Sequence, residues 1–89
     1  MTFSVELSSR AERDLARLPA KVQTSIVQAL RELALDPYHA GNVKRLSAEH
    51  RAYRLRVGDY RAVYQLSDDR QQILVLRVRH RRDAYRGRS

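Results

Sequence analysis

The stretch Tyr53-Arg-Leu-Arg-Val-Gly-Asp-Tyr-Arg-Ala-Val-Tyr-Gln-Leu66 sets arginines on one beat and apolar residues on the other. After a polar break, Ile73-Leu-Val-Leu-Arg-Val-Arg-His-Arg-Arg-Asp-Ala-Tyr85 repeats the pattern. In a β-strand, successive side chains leave opposite faces of the sheet. With Leu55 and Val57 turned to a core, Arg54 and Arg56 turn away. With Tyr60, Ala62, Tyr64 and Leu66 inward, Arg61 points outward. With Leu74, Leu76 and Val78 inward, Arg77, Arg79 and Arg81 point outward. Three strands would then gather up to six guanidinium groups on one face. Like charges repel when gathered, so the natural occupant of such a face is a polyanion.

The neighbouring residues supply turns and helices. Val57-Gly58-Asp59-Tyr60 reads as a tight hairpin, with Gly58 supplying positive φ. Ser67-Asp68-Asp69-Arg70 reads as a longer polar turn, which bounds strands over 51–57, 59–67 and 72–79. Upstream, Phe3 to Leu7 alternates as a short strand. Ser9 is expected to cap a first helix, with Glu12 completing a capping box and Ala11, Leu15 and Leu18 forming its stripe. Pro19 ends that helix or opens the next. Val22, Ile26, Leu30 and Leu33 recur at helical spacing, and Asp36-Pro37 stops the run. Residues 37–50, with Pro37, Gly41 and Asn42, read as a loop whose Lys44 and Arg45 are candidate ligand contacts. The expected fold is α+β: an N-terminal strand, and two helices packed on one face of a mainly antiparallel four-stranded sheet.

The totals bound the rest. A length of 89 residues predicts a single domain over 1–89. The absence of cysteine excludes disulfides and thiolate chemistry, and is compatible with a reducing cytoplasm, the expected location. No apolar run approaches the ~20 residues of a membrane helix, and no signal peptide is visible at Met1-Thr-Phe-Ser, so no membrane association is expected. Net charge is +8, of which residues 46–89 carry +6, and all eleven Lys/Arg residues there are arginine. Arginine's planar fork suits bidentate phosphate contacts. RNA, DNA or an acidic protein are the partners such a charge implies. His39 and His50 have no companion at ligand spacing, so neither a metal nor another cofactor is expected. No Ser-His-Asp set, glycine-rich phosphate loop or paired carboxylate stands out. Tyr53, Tyr60 and Tyr64 read as core or sheet tyrosines, whereas Tyr85 lies in a polar tail with no core demand.

Together these two stretches, with Ala11-Glu-Arg-Asp-Leu-Ala-Arg-Leu-Pro19, resemble the RelE/ParE superfamily, the toxin halves of bacterial type II toxin–antitoxin pairs. The likeness runs from Val5 to Tyr85; it is strong for the superfamily and good for the RelE branch. It implies a metal-independent mRNA interferase that enters the ribosomal A site and inhibits translation. There a 2′-hydroxyl attacks its own 3′ phosphate and the P–O5′ bond breaks, leaving a 2′,3′-cyclic phosphate on one fragment and a 5′-hydroxyl on the other. The alternative on the same fold is a ParE-type inhibitor of DNA gyrase. Carried over by position, Arg54 and Arg56 match two basic strand residues of the family. Arg61 matches its phosphate-binding arginine, Arg81 its acid or phosphate-stabilising arginine, and Tyr85 its base-stacking tyrosine. Arg54 and Arg56 stand where the best-studied pattern has lysines, and an arginine almost never releases its proton. His80, of the residue type that titrates near neutrality, is therefore a candidate for proton transfer. By parity it points with Val78 toward the core side. Lys44, Arg45, Arg77 and Arg79 complete the candidate RNA contacts. The resemblance further implies a cognate antitoxin with an acidic or amphipathic segment, in a heterodimer or heterotetramer.

Overall fold

The structure is a computed structural model and describes residues 2–38, 41–47 and 49–82. Element order is β1 (Ser4–Leu7), α1 (Ser9–Ala16), α2 (Ala20–Leu35), β2 (Val43–Ser47), β3 (Ala52–Val57), β4 (Tyr60–Ser67) and β5 (Gln72–His80). The five strands form one mixed sheet in the order β1-β5-β4-β3-β2. β1 runs parallel to β5, and the other three pairings are antiparallel. The expected α+β architecture is present, with one strand more than the sequence predicted. The extra strand is β2, inside the segment read as a loop. Its pattern is half-buried only at Val43 and Ser47, so it carries no apolar alternation to betray it.

The helices form for the reasons the sequence offers. α2 buries Ile26, Leu30, Leu33 and Ala34 on one stripe and stops at Asp36, ahead of Pro37. Pro19 is the N-cap of α2, and its carbonyl accepts from the amides of Val22 and Gln23. The cap of α1 is Ser8, one residue before the expected Ser9, so Glu12 does not sit at the capping-box position. Ser8 Oγ accepts from Ala11 N at 3.1 Å and donates to the Leu76 carbonyl at 3.0 Å. One hydroxyl therefore starts the helix and ties it to β5. Both helices bury residues against a single cluster that includes Leu55, Ala62, Tyr64, Leu66, Ile73, Val75 and Val78.

The β4–β5 ladder corrects one expectation. Val63 pairs with Arg77 but Tyr64 pairs with Val75, so Leu76 is an extra residue on β5. Ile73 and Val75 are fully buried, whereas Leu74 and Leu76 are not core residues. Unbroken alternation from Val75 would drive Arg77 and Arg79 into the core. The bulge resets the parity, buries Val78 and returns Arg79 to the outer face.

Candidate nucleic-acid interface

Directly opposed residues in a ladder share a face, with Cβ atoms about 4.5–5.5 Å apart. Arg56 is opposite Arg61, and Arg61 is opposite Arg79. The next row is Lys44, Arg54, Val63 and Arg77. Four strands thus contribute two adjacent rows of basic residues to the face that lacks the core cluster. Lys44, Arg54, Arg56 and Arg61 line one cavity of about 290 Å³ together with Gly41, Asn42 and Val43.

The β3–β4 hairpin fixes the centre of this face. Gly58 adopts φ +59°, which an L side chain rarely tolerates. Arg61 is only 9 % exposed, and its Nη1 donates to the carbonyls of Gly58 and Tyr60, each at 3.0 Å. Two acceptors on one nitrogen hold the guanidinium plane against its own turn. Arg81 is tied to the same hairpin by its backbone, its N–H donating to the Asp59 carbonyl at 2.7 Å. Its side chain, 58 % exposed, lies 4.0 Å from the Asp59 carboxylate, a contact too long and too wet to hold it.

Other candidates are placed elsewhere. Arg45 shares a row with Tyr53 and Tyr64, on the helix side of the sheet. His80 is opposite Tyr60 on that same side, its ring edge-on to the tyrosine at 5.1 Å. His80 Nδ1 accepts from the Arg82 amide at 3.2 Å. Arg77, at the bulge, donates from Nε to Asp14 Oδ2 at 2.8 Å. Tyr85 lies outside the described residues. Tyr64 is buried and stacks on Tyr53 at 5.6 Å, so these rings serve the sheet, as their spacing suggested. Among the described residues no cluster of His, Asp or Glu is arranged to hold a metal. No helix among them is long and apolar enough to cross a membrane.

One residue the sequence left unremarked is Asp14. It accepts from Arg77 and also from the Val78 amide at 2.9 Å. Burial pushes its carboxyl up, but those two hydrogen bonds and the charges of Arg77 and Arg79 outweigh burial and leave it below its ordinary value. Its only sequence signal is a carboxylate at the polar edge of the α1 stripe.

A sheet with a basic face opposite two packed helices defines a small α+β domain class. The family model for the ParE toxin of the type II toxin–antitoxin system, parDE, matches residues 5–85. Toxin RelG of Mycobacterium tuberculosis is 32 % identical over 87 residues, which are 97 % of this chain and 99 % of that protein. The toxin–antitoxin complex RelBE2 of the same organism contains a chain that superposes with a TM-score of 0.78 at 29 % identity, covering 90 % of this chain and 99 % of that one. A chain of the archaeal RelE–RelB complex of Pyrococcus horikoshii OT3 gives 0.80 at 25 % identity over 100 % of both chains. The chain belongs to this family of type II toxins.

Proposed function

We propose that this toxin is a ribosome-dependent endoribonuclease that cleaves mRNA by attack of a 2′-hydroxyl on the adjacent phosphate. The observation that carries the reading is the Arg56–Arg61–Arg79 row, with Lys44 and Arg54 beside it. A pentacoordinate phosphate gains charge as it forms, and fixed cations stabilise it without reorganising. Arg61 suits that task because the Gly58 and Tyr60 carbonyls orient it before substrate arrives. Arg81, exposed at the rim, is suited to the leaving-group side, and Arg54 and Arg56 to the flanking phosphates. Tyr85 is proposed to stack on a base of the substrate. His80, across the sheet from the guanidinium row, acts in this reading as a ring partner of Tyr60.

The partner is a cognate antitoxin. Toxins similar to this chain are described in RelBE and RelE–RelB complexes. A segment bearing carboxylates would neutralise the arginine rows, and its binding would weaken with salt.

The test is a purified translation system with programmed ribosomes. Mapped cuts within codons, ending in 2′,3′-cyclic phosphate, support the reading. Intact message beside arrested translation overturns it. The family description keeps a second reading open, a gyrase inhibitor of the ParE kind. Gyrase–DNA cleavage complexes with intact mRNA would establish that one.

A further inference from the structure

We infer that Asp14 is a positioning residue for the basic face, acting through the β5 bulge rather than through contact with substrate. In a regular strand, alternate carbonyls point to the same side. Here the carbonyls of the consecutive residues Val75 and Leu76 both receive hydrogen bonds from Ser8, from its N–H at 2.8 Å and from its Oγ at 3.0 Å. β1 pairs with β5 only as far as Val75. Beyond that point the side chain of Asp14 takes over, accepting the Val78 N–H at 2.9 Å and the Arg77 Nε at 2.8 Å.

The clamp is local, but its consequence is carried along the strand. Arg79 follows Val78 directly and stands opposite Arg61. Arg81, two residues further, is fixed to the hairpin that orients Arg61. The parity of the bulge decides whether Arg79 faces outward at all. Asp14 also keeps the Arg77 guanidinium turned to α1, out of the row it would otherwise share with Arg54 and Lys44. A misplacement of about 1 Å at a reacting centre can cost roughly a hundredfold in rate, so a carboxylate remote from the phosphate has leverage on turnover.

This inference rests on the cleavage reading, and the experiment separates the two. Asp14→Ala removes the Oδ2 that accepts both bonds, Asp14→Asn keeps a carbonyl oxygen for the Val78 amide without the charge, and Arg77→Gln removes the ion pair alone. Each is assayed for ribosome-dependent cleavage well below its Tm, with kcat and KM resolved. Arginine Nε–H signals and amide exchange are followed by NMR on the free toxin. Asp14→Ala is expected to lower kcat tenfold or more with KM within twofold. It should also lose protection at Val78 and shift the Arg61 and Arg79 Nε signals. Asp14→Asn should recover most of the turnover. A lowered Tm with unchanged kcat and unmoved guanidinium signals overturns the positioning role. If wild type cleaves nothing, the cleavage reading falls, and the NMR arm alone decides: shifted signals support the clamp, unshifted ones overturn it.

Discussion

Arg61 combines burial, positive charge and two carbonyl acceptors at 3.0 Å. It also stands between Arg56 and Arg79, so its charge is repelled in the empty toxin. Arg61→Ala is therefore expected to reduce cleavage by roughly 10²–10³-fold, the usual loss for one preorganised donor to a developing oxyanion. Its Tm should hold or rise, because the repulsion goes with the charge. Arg61→Lys should restore little, since an ammonium lacks the planar fork. Mapped mRNA ends and a thermal melt check both parts. Tyr64 offers a second measurement. It is 1 % exposed, and burial, with a smaller effect of Tyr53, pushes its phenol up to about 12. An unfolded tyrosine titrates near 10, so the folded state favours the neutral ring. That contribution is complete below about pH 10 and is lost as pH rises through about 12, on the order of 2–3 kcal/mol. Phenolate absorbance and circular dichroism should show Tyr64 ionising together with unfolding, and Tyr64→Phe should extend the stable range.

At the scale of elements, the hairpin and the α1–β5 junction are the sensitive points. A methyl at Gly58 meets nothing within 4 Å, so Gly58→Ala carries only the cost of its +59° φ, about 1 kcal/mol. One of the two carbonyls that hold Arg61 belongs to Gly58, and the other to Tyr60 in the same turn, so cleavage should fall more than stability does. At α1, Asp14 is below its ordinary value, which makes its contribution present above about pH 4 and lost as pH drops through the lowered value. A plot of Tm against pH should fall in that acid range for wild type and be flatter there for Asp14→Asn. Much of this was readable beforehand. The α2 stripe, the Gly58 turn and the outward set Arg54, Arg56 and Arg61 follow from spacing alone. The bulge was not readable, because Ile73-Leu-Val-Leu76 is apolar at every position and fits either parity. Only the ladder with β4 decides between them. β2 was missed because an edge strand exposed on both faces needs no alternation, and that same row places Arg45 opposite Tyr53, away from Lys44. Arg77 was misjudged because its partner lies 63 residues upstream, on a helix.

For the molecule as a whole, the proposed association with RNA is an electrolyte problem, because a chain of net charge +8 gathers Lys44, Arg54, Arg56, Arg61 and Arg79 on one sheet face. Affinity for single-stranded RNA should fall linearly with log salt, and each of Arg54→Ala and Arg56→Ala should reduce the magnitude of the slope by about 0.7. Titrations across a salt series measure this, and equal slopes for wild type and both variants would remove those residues from the contact. β2 bears on a different hazard. Its outer rim has no strand partner among the described residues, and an open rim of amides and carbonyls invites copies of a chain to zip together. Lys44 and Arg45, adjacent on that rim and pointing to opposite faces, would place like charges against like in any such stack. The electrostatic outfit that suits the toxin to a polyanion thus doubles as insurance against fibre formation, and neutralising both residues should convert a clear solution into one that scatters light.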